Sequence, residues 1–328
     1  MPMTRITVKT LAVFIAVGLT GIAHAYGGSI VGWGSNSDDQ LADIPTGSDY
    51  TTVASNYANV YALTTSGSIA AWGYDSDGQV SNTPTGLGFQ SIAAGNFNGF
   101  ALAANGSIAA WGDNTYGQIS NKPTGPGYTA VAGGYYAGFA LTSDGSIVGW
   151  GRHDSGQLTN IPTGTGYTKI ASNYANVYAL TTSGSIAAWG YDSDGQVSNT
   201  PTGLGFQSIA AGELNAFALA ADGSIAAWGD STYGLLDVPT GNDFVAIAAG
   251  NYSAYALRLD GSIAAWGYDG DMEVTGTPSS GVYGAVAGGY AAGFAITAAA
   301  VPEPSTYAMA LAGLACGGSV VFRRRSAR

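Results

Sequence analysis

One cysteine, Cys316, is all the chain contains, and it lies in an apolar C-terminal stretch. The remainder has neither a disulfide framework nor a thiolate metal site. Histidine is almost as scarce, with two residues, and only 9% of the chain is charged. Of the ten basic residues, six lie in terminal segments: Arg5, Lys9, Arg323, Arg324, Arg325 and Arg328. Between residues 26 and 300, four basic residues (Lys122, Arg152, Lys169, Arg258) face twenty acidic ones, a net charge of −16. Such a body repels phosphate backbones, so nucleic acid is excluded as a partner, whereas cations and basic partners suit it. His153 is the sole histidine of this region, between Arg152 and Asp154. Nothing in the spacing gives it an orienting group or a nucleophile, so it reads as a solvated loop residue.

Glycine, by contrast, is abundant at 51 residues and tyrosine at 20, a composition of short strands and tight turns. The seven tryptophans are Trp33, Trp72, Trp111, Trp150, Trp189, Trp228 and Trp266, five intervals of 39 residues and one of 38, each followed by glycine. A period near 40 marks stacked or radial repeats. One unit runs from Phe89 to Gln118. Phe89 to Gly95 is a strand ending in small residues, and Gly99 to Ala104 is a second. Asn105-Gly106 suits a type I′ hairpin turn. Ser107 to Trp111 is a third strand, and Gly117-Gln118-Ile119 begins an outer fourth. Prolines at 45, 84, 123, 162, 201, 239 and 278 end that outer segment, since proline cannot donate to a ladder.

The Ala/Gly-rich first strand suits the innermost position, where seven sheets converge, and the bulky Trp wedges between neighbours farther out. The phase of the ends decides the topology. The repeats open at Gly28-Ser29-Ile30-Val31-Gly32-Trp33-Gly34, a third strand without its first two, and finish at Tyr283 to Thr297, two strands without a third. Pairing them closes a circle and removes two sheet edges. The expected fold is an all-β, seven-bladed β-propeller over 26–300, closed by the N-terminal strand in the last blade. Residues 54–95 and 171–212 are identical at an offset of 117, so the repeated unit is structural and no residue within it is unique.

Flanking segments set the location. Residues 1–25 combine Arg5 and Lys9, an apolar run and Ala23-His24-Ala25, the layout of a signal peptide. Residues 301–328 carry Pro302-Glu303-Pro304, an apolar stretch short for a membrane span, and Arg323-Arg324-Arg325, which places that end on the cytoplasmic side. This tail resembles the PEP-CTERM sorting signal, which implies a transient inner-membrane anchor, an exosortase-type enzyme as partner, and delivery to the cell surface or an exopolysaccharide matrix. The unit Gly-Ser-Ile-Ala-Ala-Trp-Gly, followed by Gly-Gln (Gly78-Gln79, Gly117-Gln118, Gly156-Gln157, Gly195-Gln196), resembles the repeat of the regulator of chromosome condensation family, with spacing similar to its bacterial seven-bladed members, one of which is a secreted β-lactamase inhibitor. The resemblance implies the fold and leaves function open.

Candidate sites fall in loops. Asp75 and Asp77, Asp192 and Asp194, and Asp269 and Asp271 place carboxylates at i and i+2 around glycine, an arrangement calcium favours, but the full twelve-residue loop and its closing Glu are absent and turn chemistry is the default reading; no other cofactor is implied. Tyr74, Tyr116, Tyr191, Tyr233 and Tyr268 follow the Trp strand, and Tyr57, Phe97, Tyr135, Tyr136, Tyr174, Tyr252 and Tyr290 follow the inner strand. Aromatics gathered on one propeller face make a surface for protein or sugar, with packing over the blade tops as the alternative. The expected function is an exported, monomeric, non-catalytic binding or structural module whose partner is a surface protein or polysaccharide. An inhibitor of a secreted or periplasmic enzyme is the alternative, and a glycan-active enzyme would need paired carboxylates across the central channel.

Overall fold

The computed structural model describes residues 27–298; residues 1–26 and 299–328, and with them the signal peptide and the sorting tail, lie outside the described residues. Twenty-one strands form seven antiparallel sheets of three. Six blades are continuous in sequence, at 50–73, 89–112, 128–151, 167–190, 206–229 and 244–267. The seventh joins both ends of the repeat region: Ile30–Gly34 pairs antiparallel with Ala292–Thr297, which pairs with Tyr283–Gly288. Register is fixed by Ile30 opposite Ile296 and Trp33 opposite Gly293. The seven-bladed ring and its closing strand are as expected from the phase of the repeats.

First strands sit innermost, and adjacent ones approach so closely that a Cβ on Gly133 would stand 2.6 Å from the Gly95 amide nitrogen. Second strands are the buried core, with Tyr61, Phe100, Phe139, Tyr178, Phe217, Tyr255 and Phe294 all at 1% exposure or less. Each of those rings meets the Trp of the following blade edge to face, from Tyr61 and Trp111 at 5.1 Å to Phe139 and Trp189 at 6.3 Å. Such a pair contributes about 0.5–1.5 kcal/mol beyond its burial.

Every Trp also donates its indole N–H across the blade boundary, to the backbone oxygen seven residues beyond the preceding Trp. Trp72 donates to Gln40, Trp111 to Gln79, Trp150 to Gln118, Trp189 to Gln157, Trp228 to Gln196 and Trp266 to Leu235, at 2.8–3.0 Å. Trp33 donates to Glu273 at 2.9 Å and completes the circle. The acceptor is a backbone group, which is why the bond survives the change from Gln to Leu235. The missing residue of the short repeat falls after Leu235, within the outer segment.

Two expectations need correction. The outer segment is not a fourth strand. Its glycine adopts a left-handed φ (Gly78 +80°, Gly117 +82°), and the chain then makes one helical turn, with Asn82 N–H donating to Gly78 O and Asn121 N–H to Gly117 O. A segment curled in this way presents no ladder to the sheet. The hairpin turns are also not type I′. Among their central residues only the glycine has positive φ, and the Asn105 amide oxygen accepts the Ser107 N–H at 2.9 Å, holding a type I turn with a glycine bulge.

The buried side chain at the Gln position organises the outer loop. Gln79 Oε1 accepts the Asp77 N–H at 2.8 Å, and Gln40, Gln118, Gln157 and Gln196 repeat the bond. In three loops the amide nitrogen also donates to a carboxylate: Gln79 to Asp77, Gln118 to Asp113 and Gln196 to Asp194. Glu273 occupies this position in the last loop at 1% exposure; Oε2 accepts the Asp271 N–H while Oε1 has no partner. Burial raises its pKa, with Asp271 and Asp269 adding to the shift. A raised folded pKa means that this group favours the fold in acid and loses that contribution as pH rises through the folded pKa. Glu273→Gln is expected to stabilise by about 1–2 kcal/mol at pH 7. The advantage over wild type narrows below about pH 4, where both forms are neutral; thermal unfolding at the two pH values checks both sign and trend.

Candidate binding face

First strands end, and third strands end, at the same face of the ring. The turn between first and second strands carries two side-chain positions per blade. The pairs in chain order are Tyr57-Ala58, Asn96-Phe97, Tyr135-Tyr136, Tyr174-Ala175, Glu213-Leu214, Asn251-Tyr252 and Tyr290-Ala291. Six blades therefore place an aromatic at one position or the other. The loop after the Trp strand is tied to this turn by backbone bonds, such as Tyr74 N–H to Ala58 O and Tyr268 N–H to Tyr252 O.

All twelve aromatics singled out from the sequence join into one connected band. Ring centroids lie 5.4 Å apart for Tyr57 with Phe97 and with Tyr290, and 6.0 Å apart for Tyr57 with Tyr74. Phe97 continues to Tyr135 and Tyr136, Tyr136 to Tyr116, Tyr135 to Tyr174, and Tyr174 to Tyr191. On the other side Tyr290 continues to Tyr252, Tyr252 to Tyr233, and Tyr233 to Tyr268. The band breaks at Glu213-Leu214, where Glu213 Oε2 accepts the Asn251 amide at 2.8 Å. The inner rings are half-buried, while Tyr116, Tyr191, Tyr233, Tyr268 and Tyr290 are 36–54% exposed. Desolvation, then the hydrogen bond with Tyr135, pushes the Tyr136 phenol up to about 12; desolvation, then Glu213, does the same for Tyr252. Both stay neutral hydrogen-bonding groups at any physiological pH.

A feature that sequence reasoning missed lies at the centre. The turn glycines Gly95, Gly134, Gly212, Gly250 and Gly289 are replaced in blades one and four by Asn56 and Asn173. Three blades apart, these buried amides meet at 3.2 Å, bridging the axis at this end. Each amide oxygen also accepts the next residue's N–H, which holds Tyr57 and Tyr174 at φ of 46° and 45°. Left-handed φ on an aromatic costs about 1–3 kcal/mol, and the Asn side chain offsets it locally. The only available signal was Asn among glycines at one repeat position. Side chains that meet across the axis at this face are amides, where a glycosidase would need carboxylates.

The acidic loops show how their carboxylates are used. Asp75 Oδ1 accepts the Val80 and Ser81 N–H groups at 2.8 and 2.9 Å, together with the Ser81 hydroxyl. Asp192 and Asp269 repeat this with residues 197 and 198 and residues 274 and 275. Burial works against the Asp75 charge, but the bonds from residues 80 and 81 prevail and lower its pKa. The Ser198 amide leads the same lowering at Asp192, and the Thr275 amide at Asp269. Asn36 and Asn114 fill the identical role in other blades with a neutral amide oxygen, so the position is a loop organiser whether or not it is charged. Asp77 and Asp194 accept from the neighbouring serine hydroxyl and from Gln79 or Gln196, and Asp271 has an exposed side chain. Among the described residues no group of three or more His, Cys, Asp or Glu side chains is placed to hold a metal.

His153 stands exposed at the position these loop-organising residues share, next to Arg152. The Arg152 guanidinium lies 5.2 Å from the Tyr116 ring and 5.6 Å from the Tyr136 ring, and its Nε donates to Asp154 at 2.6 Å. Pro302, Glu303, Pro304, Arg323, Arg324 and Arg325 lie outside the described residues.

Comparison with known proteins agrees with this architecture. Residues 89–118 and 128–157 match the regulator of chromosome condensation (RCC1) repeat, and residues 300–325 match the PEP-CTERM protein-sorting motif. The chain thus carries RCC1 repeats and a signal that marks export through the inner membrane, processing by an exosortase-type enzyme, and placement at the surface or outside the cell. Among solved structures it is similar to Prp20p from Saccharomyces cerevisiae, at 18% identity with a TM-score of 0.69, covering 88% of this chain and 96% of that one. Human WBSCR16 follows at 15% identity and 0.65, covering 78% and 88%. The ectodomain of the Physcomitrella patens receptor kinase CR4 gives 22% and 0.61, covering 74% and 68%. At these identities the likeness concerns fold alone. No curated protein matches the sequence.

Proposed function

We propose that the protein is an exported, non-catalytic propeller that binds a surface protein or polysaccharide through its aromatic face, as a binding or structural module of the cell surface or extracellular matrix. RCC1-type propellers generally serve as binding or regulatory modules, and the sorting motif supplies the location. The observation that carries the reading is the connected band of twelve rings, five of them at least 36% exposed, on a ring whose other large aromatics are buried in the core or packed against it. Exposed rigid aromatics give large contact area at low entropic cost, the property that makes Tyr an interface residue.

A triple substitution Tyr116→Ala, Tyr191→Ala and Tyr233→Ala removes three exposed rings and leaves the second-strand core untouched. Retention of purified protein on washed envelopes of the producing cells is expected to fall at least tenfold, with thermal unfolding little changed. That loss corresponds to about 1.4 kcal/mol or more. Equal retention of the variant would contradict the reading.

A further inference from the structure

We propose that the partner of the aromatic face is a basic polypeptide segment, whose Arg and Lys side chains lie over the tyrosines and pair with the carboxylates beside them. This rests on the binding role proposed above and names the chemistry of its partner.

Charge is the first argument. Eleven of the twenty acidic residues of the body fall within six residues after a tryptophan, in loops that rim the aromatic face, and Arg152 is the single basic residue in those windows. The second is the pairing within each loop. Tyr74 and Asp77, Asp113 and Tyr116, Tyr191 and Asp194, Asp230 and Tyr233, and Tyr268 and Asp271 each set one ring and one carboxylate three residues apart. The order reverses from loop to loop while the combination stays, and where the ring comes first a second carboxylate, Asp75, Asp192 or Asp269, follows it directly. A ring face beside a carboxylate attracts an organic cation twice over, through the quadrupole and through the ion pair.

Arg152 shows what such a site takes. In the third blade it occupies the position that Tyr74 and Tyr191 hold in theirs, and its guanidinium lies over Tyr116 and Tyr136 while pairing with Asp154. One loop of the face has thus filled its cation site from within the chain. Of the five ring and carboxylate pairs only the one at Tyr116 lies under that guanidinium, and the other four loops have exposed carboxylates or rings with no basic side chain of their own. A polypeptide presenting several cations matches a rim with several such sites, and a neutral glycan leaves the carboxylates unused.

The molecule supplies its own controlled test. Asn36 and Asn114 already stand where Asp75, Asp192 and Asp269 do, and Asn105 stands where Asp144, Asp222 and Asp260 do on the opposite face. Two triple variants, D75N/D192N/D269N and D144N/D222N/D260N, therefore keep their loop bonds and lose the same three charges from opposite faces. Binding of an octa-arginine peptide to the full-length chain is measured at low salt, with octa-glutamate and dextran as alternative probes.

The expected result is saturable octa-arginine binding that weakens at least tenfold in the aromatic-face triple and less than twofold in the opposite-face triple. It also weakens as salt rises. Equal weakening in both triples would mean attraction to net charge only and overturns the proposal. Dextran binding that the arginine peptide does not share overturns the basic partner while leaving the aromatic face as the binding site. Absence of binding by all three probes overturns the basic partner as well; the envelope assay then separates this from failure of the face, since retention lost in the tyrosine variant keeps the face and equal retention removes it.

Discussion

Trp33→Ala should destabilise the fold by about 3–5 kcal/mol, as much as the same change at Trp150 in an interior blade. The equality is the informative part. Trp33 belongs to the first strand in sequence, and in an open array it would be an end residue with little to lose. In the closed ring its indole donates to the Glu273 carbonyl at 2.9 Å, its ring meets Tyr255 edge to face at 5.3 Å, and it is 5% exposed. Trp150 has the same set of contacts with Gln118 and Phe100. Denaturant unfolding of the two variants decides the matter, and a Trp33→Ala cost below about 1 kcal/mol would belong to an unpaired terminus. Trp33→Phe separates the two contributions, since it keeps a ring and leaves the Glu273 carbonyl without the indole, at about 1–3 kcal/mol.

The second large effect concerns the glycine that follows each Trp. Gly267 has φ of +105°, and a Cβ there would stand 2.6 Å from the Tyr252 carbonyl oxygen and 3.0 Å from the Ser253 Cα. Gly267→Ala combines a left-handed backbone with collision against backbone atoms that cannot rotate away. The expected loss is about 2–5 kcal/mol from strain and overpacking together. This glycine also launches the loop that carries Tyr268, so the variant displaces rings at that point of the face. Envelope retention is expected to fall with stability here, whereas the exposed tyrosine variants lose retention alone. A Gly267→Ala protein that unfolds like wild type would show that the close approach is absent.

Much of the ring was legible because tryptophan is bulky and strictly periodic. The half-step phase of Gly28 to Gly34 against Tyr283 to Thr297 specified closure without any contact being known. Legibility failed where a side chain overrides strand propensity. Around Gly117-Gln118-Ile119 the apolar pattern suggests a fourth strand, but the Asn114 amide oxygen captures the Ile119 and Ser120 N–H groups and curls the segment away from the ladder. The role of the Gly-Gln pair was hidden although its period was visible: the glutamine acts on the N–H two residues before it and beneath the next blade's Trp, contacts that a period alone does not name. The Asn56 and Asn173 contact joins positions 117 residues apart and depends on the ring having closed. The aromatic positions could be picked out one by one from sequence. Their connection into a band needed the blades to be laid side by side, and the exchange of ring and carboxylate order between loops becomes meaningful only on a shared face.

Amide hydrogen exchange of residues 30–34 tests the closed ring most directly. In the ring these amides belong to a strand paired in register with Ala292–Thr297, so their protection should match that of the third strands in interior blades, near the global unfolding free energy. Exchange at the rate of an unprotected chain, with interior blades still protected, would contradict closure and with it the continuous face on which the proposed function depends.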